Sequence, residues 1–407
     1  RIDARLLTIL RIAVYEIAYH PATPVYSVVD EAVRAAAKSG GKKQSGFVNA
    51  VLRQIVRHVV NRQADLAQAN PQRTLVQTPQ AGCEFDTDFL PDPATDAATH
   101  LSLRFSLPSW LVAEWLSEFG PERALAVCMA CNRRPGLYVR VNTLRTTPDE
   151  LLSRFQQADV QAEPVCSVPV RAYPDNASRR RYEQEDAIHT ADMIRVTGPH
   201  AVTQLPGFSA GLFSVQDLSA SQAVRILDPR PGWSILDLCA APGSKTMQIA
   251  ELAQDAASVV ATDIDPVRLK RVGQNIARLG LRSVTIVPHA QLEQGIGPFD
   301  AILLDAPCSN TGVLARRVEA RFRVTAQAVK EIAAIQKGLL VKVAGLVKPG
   351  GRICYSTCSI QRRENQDMVR DFLAAHSEFT LAHESLLLPT TGPFDHDGGY
   401  VALLKRK

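Results

Sequence analysis

The stretch Leu236-Asp237-Leu238-Cys239-Ala240-Ala241-Pro242-Gly243-Ser244-Lys245-Thr246 ends one hydrophobic run and opens a helical pattern, so it joins a strand to a helix. In such a joint the loop N–H groups and the helix dipole face a polar or anionic ligand group. The loop has the spacing of neither familiar nucleotide loop, since it contains no GxGxxG and no GxxxxGK[ST]. Asp263 ends the next hydrophobic run about 20 residues on, where an acidic residue commonly accepts both ribose hydroxyls. Adenosine without a phosphate chain fits this pattern. S-adenosylmethionine carries such a ribose, together with an amino acid end that a loop and a carboxylate can hold. The plainer alternative is a tight turn and a strand-end carboxylate of any α/β enzyme.

Downstream of the loop, Asp305-Ala306-Pro307-Cys308 and Ser356-Thr357-Cys358 each follow a hydrophobic run, Phe299 to Leu304 and Gly351 to Tyr355. Such runs are expected of parallel strands buried on both faces. Residues after them emerge at the crevice where α/β sheets bind ligands, so two thiols delivered there read as reagents rather than as packing. Around these motifs the rhythm is regular. Strands are expected at 234–239, 258–263, 284–288, 299–304, 351–356 and 400–404, with helices at 245–254, 266–279, 325–347 and 363–375. This alternation implies a parallel sheet wrapped by helices.

Upstream, residues 3–19 have helical spacing in Leu6, Leu10, Ala13, Val14 and Ile17, and Pro21 and Pro24 break the helix. A second helix is expected at 26–37, ended by Ser39-Gly40-Gly41, and a third at 45–60. Residues 64–98 are rich in Gln, Pro, Asp and Thr and read as a linker. A helical pattern at 107–131, a strand at 137–141 and a helix at 148–158 then suggest a compact α+β segment before the main domain.

With 407 residues, 46% of them hydrophobic, the chain has room for two or three cored domains. No apolar run approaches the roughly 18 residues of a membrane span and the start lacks a signal-peptide layout, so the expected compartment is the cytoplasm. The eight cysteines are scattered, as reduced thiols would be. Cys128 and Cys131 form the one CxxC, with no second pair or HxxxH to complete a metal set, and no metal is expected. The net charge is only +5, but residues 1–62 hold ten Lys or Arg against four acidic residues. Arg179-Arg180-Arg181 and Lys405-Arg406-Lys407 add smaller basic clusters. The distribution favours an anionic partner, although a solvated basic face would look the same.

Taken together, LDLCAAPGSKT at 236–246, LLDAPCSNTGV at 303–313 and YSTCS at 355–359 resemble the Sun family of RNA cytosine-5 methyltransferases, in order and in spacing. Leu205-Pro206-Gly207-Phe208 and Phe213-Ser214-Val215-Gln216-Asp217 look like that family's lead into its catalytic domain. Residues 106–110 and 137–145 look like its N-terminal extension. Phe47-Val48-Asn49-Ala50-Val51-Leu52-Arg53, with residues 3–38, resembles the NusB-like RNA-binding domain of bacterial 16S rRNA members. The resemblance implies a multidomain chain: an α-helical NusB-like bundle at 1–63, the linker at 64–98, an α+β RNA-binding extension at 99–204 and a Rossmann-like class I methyltransferase domain at 205–407. That bundle ordinarily has further helices ahead of this start, and Arg1 is no initiator methionine, so an incomplete N-terminus is expected.

By the same resemblance, Cys358 is the nucleophile that adds to C6 of cytosine and Cys308 assists release of the methylated base. Asp305 would face N3 and the exocyclic amine, and the methionine end of the cofactor. DNA cytosine-5 enzymes use the Pro-Cys thiol instead, so the presence of both cysteines favours RNA. The implied contacts to S-adenosylmethionine are Cys239, Ala240, Ala241, Pro242, Gly243, Ser244, Lys245, Asp263, His289 and Asp305. His289 stands where the family usually has an aspartate for the adenine amino group, and a neutral imidazole supplies no such charge. Arg316, Arg317, Arg321 and Phe322 follow the Pro-Cys motif and are expected to contact phosphate and stack on a base. Cys239 and Cys354 read mainly as packing or backbone-contact residues. The implied substrate is 16S rRNA. Two alternatives stand beside it: tRNA as substrate, and a non-catalytic RNA-binding ribosome assembly factor.

Overall fold

The structure is a computed structural model that describes residues 2–165, 188, 190–294 and 296–407. The Arg179–Arg181 cluster lies outside the described residues. No helix among the described residues is long and apolar enough to cross a membrane. The chain divides into two compact units, residues 1–133 and 134–407.

In the first unit, α1 (Ala4–Tyr19) begins where the Asp3 side chain accepts the Arg5 N–H at 2.9 Å, a cap that satisfies an otherwise orphaned donor. Its buried stripe of Leu6, Leu10, Ala13 and Ile17 packs with Val28, Ala32, Ala36, Val48 and Leu52 of α2 (Val25–Arg57). The expected break at Gly40-Gly41 is a kink within α2, where Gly41 takes a φ of +77° that side chains with a Cβ avoid.

The segment expected to be a linker instead holds a three-stranded antiparallel sheet. It is built from β1 (Val59–Asp65), β2 (Thr74–Val76) and β3 (Ala81–Phe85), with β3 in the centre. The strands are too short, and β1 too irregular in register, to show an alternation in sequence. Arg62 of β1 anchors this sheet. Its guanidinium donates to the carbonyls of Ile17 (2.8 Å), His20 (2.7 Å) and Thr23 (2.8 Å), closing the end of α1. One of the ten basic residues is thereby turned inward. Helices α3 (Ala97–Phe105), α4 (Ser109–Phe119) and α5 (Pro121–Cys131) complete this compact unit, which ends at residue 133. Cys128 and Cys131 are buried on α5, and burial pushes the Cys128 thiol well above its usual value.

The second unit opens with a four-stranded antiparallel sheet in the order β5-β6-β4-β7. Its elements are β4 (Leu137–Val141), α6 (Pro148–Gln157), β5 (Ala162–Pro164), β6 (Met193–Val196) and β7 (Phe213–Val215). Val139, Val141, Leu151, Phe155, Ile194 and Phe213 form its core. A seven-stranded sheet follows, made of α7 (Gln222–Leu227), β8 (Ser234–Asp237), α8 (Ser244–Leu252), β9 (Ser258–Ala261), α9 (Pro266–Leu279), β10 (Val284–Ile286), β11 (Phe299–Asp305), α10 (Ala326–Ala344), β12 (Val347–Thr357), α11 (Gln366–Ala375), β13 (Phe379–Leu387) and β14 (Gly399–Arg406).

The order of that sheet is β10-β9-β8-β11-β12-β14-β13, parallel from β10 to β12 and antiparallel at β14 and β13. The chain moves outward from β8 to β10, then returns to start β11 on the other side of β8. The strand order therefore reverses between β8 and β11, and a crevice opens at their carboxyl ends. Residues 238–243, 306–313 and 358–361 all emerge at that edge.

Candidate active site

The loop after β8 is fixed from three directions. Ala241 N–H donates to Asp263 Oδ2 at 3.1 Å, Arg268 donates to Ala241 O at 2.7 Å, and Asn275 donates to Pro242 O at 3.1 Å. Gly243 has a φ of +108°, which lets the chain turn directly into α8. Asp263 also accepts the Asp265 N–H at 2.9 Å, so each of its oxygens carries one backbone donor and keeps further acceptor capacity.

Asp237 ends β8 and is fully enclosed. Its Oδ2 accepts from Thr246 Oγ1 at 2.6 Å, while Oδ1 is buried without a hydrogen-bond partner among the described residues. Burial pushes this carboxyl up to about 7. An acceptor oxygen left open beside the loop suits a ligand that brings its own donors or a positive charge. The residues present therefore fit the amino acid end of S-adenosylmethionine. Sequence reasoning passed over Asp237 because it sits within the loop motif as one more strand residue.

Lys245, in the first turn of α8, donates to Asp305 Oδ2 at 2.6 Å, and Ser356 Oγ donates to Asp305 Oδ1 at 2.8 Å. Burial opposes the ammonium charge, but the adjacent Asp305 carboxylate outweighs it and the Lys245 pKa is raised. Both ends of the implied site are thus joined by one ion pair.

Cys308 and Cys358 come together although 50 residues separate them, with Sγ atoms 3.1 Å apart. β11 and β12 are paired neighbours with Asp305 opposite Ser356, so the two loops leave the sheet side by side. Cys358 Sγ also donates to Asn310 Oδ1 at 3.3 Å. The hydrogen bond to Cys358, with burial next, holds the Cys308 thiol well above its usual value. Cys358 is the more exposed of the two. Asn310 is a second residue that the sequence did not single out, and its φ of +62° is what aims its amide back at the thiol.

One expectation changes. Arg316 is committed within the fold: it donates to Asp397 Oδ2 at 2.6 Å, Asp217 Oδ2 at 2.9 Å and Gly136 O at 2.9 Å. It acts as a clamp between segments, because two carboxylates distant in sequence claim the guanidinium intended for phosphate. His289 begins a short 3-10 turn after β10, where its Nε2 lies 3.4 Å from Lys342 Nζ on α10. An ammonium only donates, so Nε2 is the acceptor in that pairing. Cys239 and Cys354 are pushed up chiefly by burial, and Cys354 Sγ contacts Ala223 O at 3.2 Å, as packing residues would. By contrast, Phe322 is 82% exposed, and Arg317 and Arg323 flank it on the surface, while Arg321 is half-buried and donates to Leu314 O at 3.5 Å.

Comparison with known proteins matches three family models. Residues 224–393 match the 16S rRNA methyltransferase RsmB/F model, residues 1–57 the NusB family, and residues 107–171 the ferredoxin-like domain of RsmF/B-like methyltransferases. The ribosomal RNA small subunit methyltransferase B of Serratia proteamaculans is 34% identical over 383 residues, covering 92% of this chain and 74% of that protein. Its counterpart in Pectobacterium carotovorum is 33% identical over 415 residues, covering 98% and 81%. The crystal structure of NSun6 from Pyrococcus horikoshii with SFG shares the fold at a TM-score of 0.58 and 22% identity, covering 74% of this chain and 98% of that one.

Proposed function

Because the chain belongs to the ribosomal RNA small subunit methyltransferase B family, we propose that it transfers a methyl group from S-adenosylmethionine to C5 of a cytosine in 16S rRNA through a covalent adduct to Cys358. The observation that carries this reading is the pair of thiols at the switch point of the sheet, 3.1 Å apart and flanked by the Lys245–Asp305 ion pair.

Cytosine C5 is too weak a carbon nucleophile to attack a sulfonium methyl group unaided. Addition of the Cys358 thiolate to C6 forms a C–S bond and moves the electron pair of the 5,6 double bond toward C5. Asp305, as a carboxylate, only accepts hydrogen bonds, so its remaining lone pairs suit the exocyclic amine of the base. Lys245 and Ser356 hold that carboxylate still while charge builds up. When bound, S-adenosylmethionine supplies the electrophilic methyl group. The 240–245 loop, Asp263 and the open Asp237 oxygen are the residues that would hold it. Loss of the C5 proton to a base then restores the double bond and expels Cys358, with Cys308 placed to assist that release.

The target base must leave its stack, since neither face of the 5,6 bond is open to a thiol within a helix. Exposed Phe322 offers a stacking surface, with Arg317 and Arg321 for the backbone. The test is transfer of labelled methyl to unmodified 16S rRNA, with tRNA alongside and Cys358→Ala as control. Label should appear as 5-methylcytosine in 16S rRNA and vanish in the variant. Label confined to tRNA would move the substrate. A folded chain that binds no S-adenosylmethionine and labels neither RNA would leave an RNA-binding assembly factor.

A further inference from the structure

Glu364 lies on the short turn Arg362–Glu364 between β12 and α11, fully buried, and takes no part in the chemistry above. Four donors converge on its carboxylate. Oε1 accepts from Ser309 N at 2.8 Å and from Gln336 Nε2 at 3.2 Å, while Oε2 accepts from the hydroxyls of Ser309 and Ser359. Ser309 is the residue after Cys308, and Ser359 is the residue after Cys358. Gln336, on α10, donates as well to the carbonyl of Pro307, the residue before Cys308, at 2.9 Å.

The turn that carries Glu364 is itself held. Tyr355 Oη donates to the Glu364 carbonyl at 2.6 Å. Asn365 donates to Ser359 O at 2.9 Å and accepts from Thr357 Oγ1 at 2.7 Å. Thr311 Oγ1 and Ser359 Oγ, 3.0 Å apart, add a direct tie between the two loops.

Burying a carboxylate is costly unless every acceptor site is used, and here the compensating donors come from the two cysteine loops and the helix behind them. We propose that Glu364 is a positioning residue that sets the register of the two thiols by holding the residue that follows each of them. The inference rests on the reading of Cys308 and Cys358 as the reacting thiols. Charge-assisted hydrogen bonds are about twice as strong as neutral ones, so a neutral residue of the same shape preserves the fold and loosens the grip. A displacement of the order of 1 Å at a reacting centre costs up to roughly 100-fold in rate.

Two readouts on the full chain test this for Glu364→Gln, with Ser309→Ala and Ser359→Ala each removing one side of the grip. The first is methyl transfer. The expected result is a fall in kcat of roughly 10-fold or more, with KM for S-adenosylmethionine and for RNA little changed. The second needs no turnover: closure of the Cys308–Cys358 bond by diamide. Each thiol gives up its hydrogen, two electrons and two protons pass to the diazene, which becomes the hydrazine, and a sulfur–sulfur bond forms. Closure should slow by a similar factor in Glu364→Gln, while alkylation of either cysteine alone proceeds as in the parent chain. A variant that unfolds more easily but keeps the parental kcat and closure rate would overturn the proposal and leave Glu364 a purely structural group. A parent chain that closes the bond yet transfers no methyl would count against the function alone, and the closure rate in the variant would still decide the register.

Discussion

Replacing Asp237 by Asn should make the unliganded protein relatively more stable as the pH rises. The side chain is enclosed, one of its oxygens has no hydrogen-bond partner among the described residues, and burial lifts its pKa from 3.8 to about 7. In this case the folded value exceeds the unfolded one, so the folded state binds the extra proton between the two values. Stability is therefore lost as the pH rises from about 4 to about 7, the reverse of the usual salt-bridged carboxylate. The full shift is about three units, or about 4 kcal/mol, of which about 3 kcal/mol falls between pH 5 and pH 8. Asn keeps the acceptor for Thr246 but buries two N–H groups, one or both without a partner, a cost of about 1–3 kcal/mol that does not vary with pH. In urea unfolding the variant should gain about 3 kcal/mol relative to the parent between pH 5 and pH 8, and at pH 8 it should be as stable or more so. Affinity for S-adenosylmethionine at pH 8 should fall, because the ionised oxygen that would meet its ammonium group is gone. A stability difference that stays constant between pH 5 and pH 8 would refute the reasoning.

Arg140 of β4 is buried against Glu251 of α8 and also donates to Gln216 at 2.6 Å; Arg140→Met should cost about 3–5 kcal/mol in chemical denaturation, because it strands a buried carboxylate. Phe322→Ala should weaken RNA binding by about 1–3 kcal/mol in a filter assay and leave cofactor titration unchanged, since the ring is 82% exposed. Gly312 sits where three loops meet, and a Cβ there would come within 2.6 Å of Gly398 O and 2.8 Å of Cys358 O; Gly312→Ala should abolish methyl transfer while S-adenosylmethionine still binds.

Legibility in the sequence followed the strength of local signals. Helix α9 is expected and found at 266–279 because Asp265 caps it, Pro266 opens it and Gly280 closes it with a φ of +69°. The central strands are continuous apolar runs buried on both faces, and their alternation with helices carried the doubly wound order. Strands β1 to β3 and the edge strand β13 were missed for one shared reason: they are short or broken by register shifts, as between Leu381 and His383, so no period of two survives. In the site, Asp305, Cys308 and Cys358 stood out in the sequence because the first ends an apolar strand and the two thiols lie just beyond one. Partners distant in sequence did not. Nothing in Arg316-Arg317 shows that Asp217 and Asp397 claim the first guanidinium, and Glu364 reads as one more charge in a polar run until folding brings both serines to it.

The most direct test of the account is capture of the adduct itself. The Cys308→Ser chain, incubated with 16S rRNA and S-adenosylmethionine, should retain RNA through denaturing electrophoresis, because addition proceeds and release is impaired. Proteolysis and mass spectrometry should then place a nucleotide on the peptide that contains Cys358. A nucleotide attached at any other residue, or methylated RNA released at the parental rate from a chain carrying both Cys308→Ser and Cys358→Ala, would contradict the account.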